Sequence, residues 1–251
     1  MNATLVEQVE RCVQQGKVRR AIRLLREAVA AGESPSSCYS KLAELYRMLR
    51  QYPRAIWALR QAMRYATDPN PLRAMLIEVM MESGDGERAL RECRRWLRES
   101  PDHPIPLEHL MELYWRQKAF HQALELANRL VQLQPTSPYH RLRRACLLSE
   151  MGRYAQAVED YQRLTNDEMA PLEVAFLAQI ELERLDRQQM ERLMPLLMED
   201  VVFRLEFLRN PIHAIRERGF RFSDMGEEML AYLPDEMRPI LHEMKRHGSY
   251  S

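Results

Sequence analysis

Residues 36–69, SSCYSKLAELYRMLRQYPRAIWALRQAMRYATDP, decide the fold. Leu42, Ala43, Leu45, Tyr46 and Leu49 recur at helical spacing, and after a short polar turn Ala55, Ile56, Leu59, Ala62 and Met63 do so again. The stretch predicts a hairpin of two helices, each with one apolar side. Its Ala55 is one of five alanines, Ala21, Ala55, Ala89, Ala123 and Ala157, each 34 residues after the last. The neighbours recur with them, as Arg20-Ala21-Ile22, Arg54-Ala55-Ile56, Arg88-Ala89-Leu90, Gln122-Ala123-Leu124 and Gln156-Ala157-Val158. A whole unit is therefore repeated, and a fixed period of this length predicts stacked supersecondary units with a shared core.

The alanine has a physical reason to recur. Where the second helix of a hairpin crosses the first at close range, a small side chain lets the backbones approach and a larger one forces them apart. The joints between units are marked by Gly32/Pro35, Pro69/Pro71, Pro101/Pro104, Pro135/Pro138 and Pro171, because proline cannot continue a helix and glycine weakens one. The units then run over 2–35, 36–69, 70–103, 104–137 and 138–171.

This pattern resembles the tetratricopeptide repeat. Tyr46 and Tyr114 stand at that family's tyrosine position, with Cys12, Met80 and Leu148 replacing it elsewhere. Gly16, Gly84 and Gly152 occupy its turn, Tyr52, Phe120 and Tyr154 the aromatic position after the turn, and Pro101 and Pro135 its closing proline. Arg144 departs from the pattern, standing where a core leucine is expected. The resemblance implies an all-α, right-handed α-solenoid of such hairpins. Two further segments complete the expected architecture. Leu172 to Leu185 and Gln188 to Met198 read as a degenerate capping hairpin over 171–199, with Glu191 in the alanine's place. Residues 200–251 read as a helical C-terminal extension packed on the last repeats, broken by Pro211, Gly219 and Pro234.

Composition narrows the function. The hydrophobic fraction is 46% and the charged fraction 29%, and no apolar run reaches the ~18 residues of a membrane span. The first residues lack a basic leader followed by an apolar core, so a cytoplasmic location is expected. Cys12, Cys38, Cys93 and Cys146 lie far apart and read as small core fillers, with no pair spaced for zinc or redox chemistry. His242-Glu243 with His247 sets the histidines five residues apart, one more than a zinc helix needs, so the two rings point to different sides. With no phosphate loop or nucleophile signature either, the chain reads as non-catalytic, without metal or cofactor. The net charge of +1 hides a polarity, since residues 1–100 carry 18 basic and 12 acidic side chains and residues 101–200 carry 11 and 16.

The resemblance also implies a groove. In that family the first helices line a concave surface, and position nine of the repeat faces it. Here that position reads Glu10, Glu44, Glu78 and Glu112 before giving way to Cys146. Four carboxylates in one register predict an acidic ladder, with Trp115 and Tyr139 as aromatic anchors, suited to a basic or amphipathic peptide or partner protein. The simpler expectation is a solvated helix surface with Glu44–Arg47 and Glu112–Arg116 pairs. Glu108, His109 and Glu112 cluster on one helix surface and read as solvated polar residues. Residues 204–221 carry five arginines against Glu206 and Glu217, with apolar residues between, and are a candidate for intramolecular docking in the groove. The expected role is a scaffold or adaptor. The alternative is nucleic-acid binding through the second-helix arginines, among them Arg19, Arg20, Arg23, Arg26, Arg88, Arg91, Arg94, Arg95 and Arg98.

Overall fold

All five register alanines are fully enclosed, as close helix crossing requires. The computed structural model describes residues 3–246, and among them every regular element is helical, so the fold is all-α. The chain divides into two compact units, Met1–Gln117 and Lys118–Ser251. That division falls inside the fourth expected repeat.

The first unit holds α1 (Ala3–Gln14), α2 (Val18–Ala30), α3 (Pro35–Met48), α4 (Tyr52–Tyr65), α5 (Asn70–Glu82), α6 (Gly86–Glu99) and α7 (Pro104–Arg116). Each packs on the next in chain order. Proline sits in the first turn of α3, α4, α5 and α7, where its missing N–H costs nothing. Leu25, Leu42, Leu45, Tyr46, Leu59, Leu76, Ile77, Met80, Cys93 and Trp96 fill the core between the helices. Arg73 of α5 is buried against α6, where its guanidinium donates to both oxygens of Glu99 at 2.6 and 3.0 Å and lies 5.5 Å over the Trp96 ring.

The second unit begins with α8 (Phe120–Leu133), α9 (Pro138–Glu150) and α10 (Tyr154–Thr165). Here Arg144 proves to be matched rather than misplaced. Its Nε and Nη2 donate to the buried Asp160 carboxylate of α10 at 2.7 and 2.6 Å. A paired guanidinium thus occupies the expected leucine's place.

The hairpin turns share one backbone solution. Gly16, Gly84 and Gly152 have positive φ, and so do Arg50 and Lys118, which occupy the same place in the two repeats that lack the glycine. At the turns after α1, α3, α5 and α9 the following amide donates back to the first helix, as in Lys17 N to Cys12 O at 2.8 Å and Gln51 N to Tyr46 O at 2.8 Å. This Schellman closure satisfies carbonyls that the helix end would leave unpaired.

Beyond α10 the structure departs from expectation. A single helix, α11 (Leu172–Glu199), replaces the two-helix cap over 171–199. Its buried residues Val174, Ala178, Leu182, Leu185, Gln189, Leu193 and Leu197 form one unbroken stripe at helical spacing. Neither glycine nor proline interrupts the region near Asp186, so nothing turns the chain there. The first part of α11 packs on α9 and α10. Its second part joins α12 (Val201–Arg209), α13 (Pro211–Glu217) and α14 (Asp224–Arg246) around a separate apolar core of Leu193, Leu197, Phe203, Phe207, Ala214, Ile215, Phe220, Phe222 and Leu230.

Candidate functional site

The four glutamates of the ladder sit on four first helices of one unit, Glu10 on α1, Glu44 on α3, Glu78 on α5 and Glu112 on α7. Glu10 is exposed and the other three are half-buried. Cations accompany them. Lys41 pairs with Glu44 at 2.6 Å, and Arg116 donates to Glu112 at 2.8 Å. Arg47, expected beside Glu44, instead reaches from α3 to the next first helix, where it pairs with Glu78 at 3.4 Å and with both oxygens of Glu82. The first helices of this unit therefore carry a row of partly screened carboxylates. Ion pairs this exposed contribute roughly 0–1 kcal/mol each. Glu108 and His109 are half-buried neighbours on α7 and each has an interaction of its own.

The two residues expected as aromatic anchors belong to different units. Trp115 is half-buried near the end of α7 in the first. Tyr139, at the start of α9 in the second, is 49% exposed. Its hydroxyl donates to Glu173 Oε1 of α11 at 2.6 Å, and that bond raises the phenol above its ordinary pKa. Tyr46 and Tyr161 are buried, while Tyr114 and Tyr154 are half-buried. The hydroxyls of Tyr46, Tyr114 and Tyr154 each accept an arginine from a neighbouring helix, Arg26 at 2.9 Å, Arg94 at 2.9 Å and Arg192 at 3.4 Å. Cys12, Cys38 and Cys93 are buried and Cys146 half-buried. Burial pushes the Cys93 thiol up to about 12, which leaves it uncharged at neutral pH.

Residues 204–221 do not stand ready to fill a groove. Phe207, Ile215 and Phe220 are buried in their own core. Arg204 is buried and donates to Leu197 O at 3.1 Å and Met198 O at 2.9 Å, closing the end of α11. Arg216 and Arg218 pair with Glu227 and Asp200 at 2.7 and 2.8 Å. Docking elsewhere would dismantle this core, so the intramolecular expectation is withdrawn. His247 lies outside the described residues. Among the described residues no group of three His, Cys, Asp or Glu side chains is placed to hold a metal ion, and no helix is long and apolar enough to cross a membrane.

On the second helices of the first unit the arginines form columns in register. Arg20, Arg54 and Arg88 make one, Arg26, Arg60 and Arg94 another, and all six are exposed. The columns stop there, with Gln122 and Asn128 next in register. Between them Trp57 is 50% exposed and meets Tyr39 edge-on at 5.6 Å. Sequence reasoning missed this aromatic site, although a tryptophan two residues after Ala55, on a helix side otherwise given to arginine, was its visible trace.

Two models described as tetratricopeptide repeat match the chain, over residues 9–71 and 110–198. No curated protein matches it in sequence. Among solved structures, MamA from residue 41 to its end from Desulfovibrio magneticus RS-1 is similar at 14% identity and a TM-score of 0.51, over 64% of this chain and 90% of that one. A second crystal structure of MamA is similar at 15% identity and a TM-score of 0.51, over 65% and 92%. At such identity the likeness concerns the fold.

Proposed function

The chain belongs to the tetratricopeptide repeat family, and from that premise we propose that its first helices offer an acidic groove to a basic or amphipathic peptide or partner protein. The repeat is an interaction fold, so the coarser reading, a protein-interaction scaffold, follows from the family. The finer reading rests on one observation: Glu44, Glu78 and Glu112 stand half-open to solvent in one register, each in a partly exposed ion pair. An incoming lysine or arginine replaces Lys41, Arg47 or Arg116 at little cost, whereas an incoming carboxylate meets repulsion. Trp115, on α7 of the same unit, supplies aromatic surface for the apolar side of such a ligand.

The test is a pull-down from native cell extract with the wild type and with Glu44→Lys/Glu78→Lys/Glu112→Lys, after circular dichroism has established that the variant keeps its helicity. Loss of a discrete protein partner is the expected result. An unchanged set of partners would reduce the ladder to solvated surface, and the exposed arginine columns around Trp57 would then become the leading surface, with nucleic acid as the ligand class.

A further inference from the structure

The second unit carries a hollow of about 610 Å³ between α11 and α14, on the outer side of the C-terminal core and lined by none of the ladder glutamates. Its walls are two methionine pairs, Met190 and Met194 on α11 and Met225 and Met229 on α14, with the buried Phe222 behind them. Met225 is 59% exposed and Met229 65%. Met190 packs against the core below, whereas Met194, Met225 and Met229 take no part in it.

The walls are fixed independently of the methionines. Asp186 of α11 accepts the Ser223 amide at 2.9 Å and also the Ser223 hydroxyl. A Cβ at Gly226 would stand 2.6 Å from Asp186 Oδ2, so glycine is what lets α14 approach at that point. Gln189 accepts the Arg221 amide at 2.7 Å and donates to the Arg221 carbonyl. The helices are thus pinned at one end, and the hollow opens beyond the pins.

Within each pair the methionines are four residues apart, about one helical turn, so two rows of matching spacing face one hollow. A helix inserting apolar residues at three- and four-residue spacing fits between such rows, and methionine adapts to the shape of what enters. The rim on α11 carries Glu183 and Glu191, both exposed, beside Asp186, with Arg187 as the cation among the lining residues. From the methionine rows and this acidic rim we propose that the α11–α14 hollow is a second docking site, which takes an amphipathic helix with lysine or arginine beside its apolar stripe. It is separate from the first-helix glutamates and does not depend on them.

The test uses the full chain labelled at the methionine methyl groups and a synthetic leucine/lysine peptide patterned as an amphipathic helix. The expected result is methyl shifts at Met190, Met194, Met225 and Met229, with affinity falling roughly ten-fold or more in Met225→Gln/Met229→Gln and in Glu183→Lys/Glu191→Lys. Both methionines of the first variant are largely exposed, so its fold survives the change, and circular dichroism checks this. The Glu44→Lys/Glu78→Lys/Glu112→Lys variant should show the same shifts at these four methyl groups as the wild type, whatever it loses at the first helices. Loss of those shifts in that variant alone would place the peptide on the first helices and overturn the proposal. So would absence of binding, or equal binding by Met225→Gln/Met229→Gln. Sedimentation showing a wild-type dimer that this last variant abolishes, with no peptide bound, would assign the hollow to a second copy and overturn it too.

Discussion

Arg144 shows how far a residue's role depends on a partner that the repeat pattern does not reveal. In register it is an error, a cation in a leucine's place, and only Asp160 on the next helix makes it tolerable. Truncating one member of such a pair leaves the other charge stranded and costs about 3–5 kcal/mol, whereas replacing both with apolar groups is often neutral. Asp160→Ala should therefore lose about 3 kcal/mol in urea denaturation, the lower end because Arg144 keeps some contact with solvent. Arg144→Leu/Asp160→Ala should recover most of that loss. If the single variant were as stable as the wild type, Arg144 would be turning out to water instead. The register alanines were legible from sequence because the demand for a small side chain is local to each crossing. Arg47 was not, since its carboxylates at Glu78 and Glu82 lie one repeat further on and become neighbours only when helices stack. The ladder carboxylates were therefore readable, and Glu112 pairs with Arg116 as expected, but the counter-charge of Glu44 was misassigned.

At the scale of the element, α11 carries the lesson. Its stripe from Val174 to Leu197 never breaks, yet the 34-residue beat suggested a turn where the beat had already ended. Periodicity of 3.6 residues outranked periodicity of 34, because a helix stops only where a cap, a glycine or a proline stops it. The junction after α11 makes a prediction about acid. Asp200 caps α12 by accepting the Phe203 amide at 2.9 Å, and Arg218 pairs with it. That amide first, then the guanidinium, holds the Asp200 carboxyl below the usual carboxylate range. A carboxyl with a lowered folded pKa gives stability that is fully present above its unfolded value and is lost as pH falls through the folded value. Asp200→Asn keeps a cap but loses the charge. Its melting temperature should fall short of the wild type's near neutral pH and converge with it in acid. A constant gap at every pH would mean that the carboxylate charge contributes nothing.

For the whole molecule, the three tryptophans, Trp57, Trp96 and Trp115, all lie in the first unit. Indole fluorescence therefore reports on that unit, while circular dichroism reports on both. Phe207 is fully enclosed in the C-terminal core, and Phe207→Ala should cost about 3–5 kcal/mol. Repeat arrays need not unfold as one. In that variant the dichroism transition should move to lower denaturant while the fluorescence transition holds its midpoint. Coincident transitions would mean that the two units melt as one cooperative body. Charge is divided as unevenly as the tryptophans, since an excess of six cations in residues 1–100 precedes an excess of five anions in residues 101–200.

The positive-φ turn after each first helix has a consequence for how the chain can be cut and rejoined. Residues 16, 50, 84, 118 and 152 share one backbone handedness even where arginine or lysine replaces glycine. A segment running from one of them to the next starts and finishes in the same local geometry, with the same beat of residues between. Each is an interchangeable cassette, and splicing at these joints, by duplication, deletion or exchange, leaves matched ends that the neighbouring helices already know how to receive.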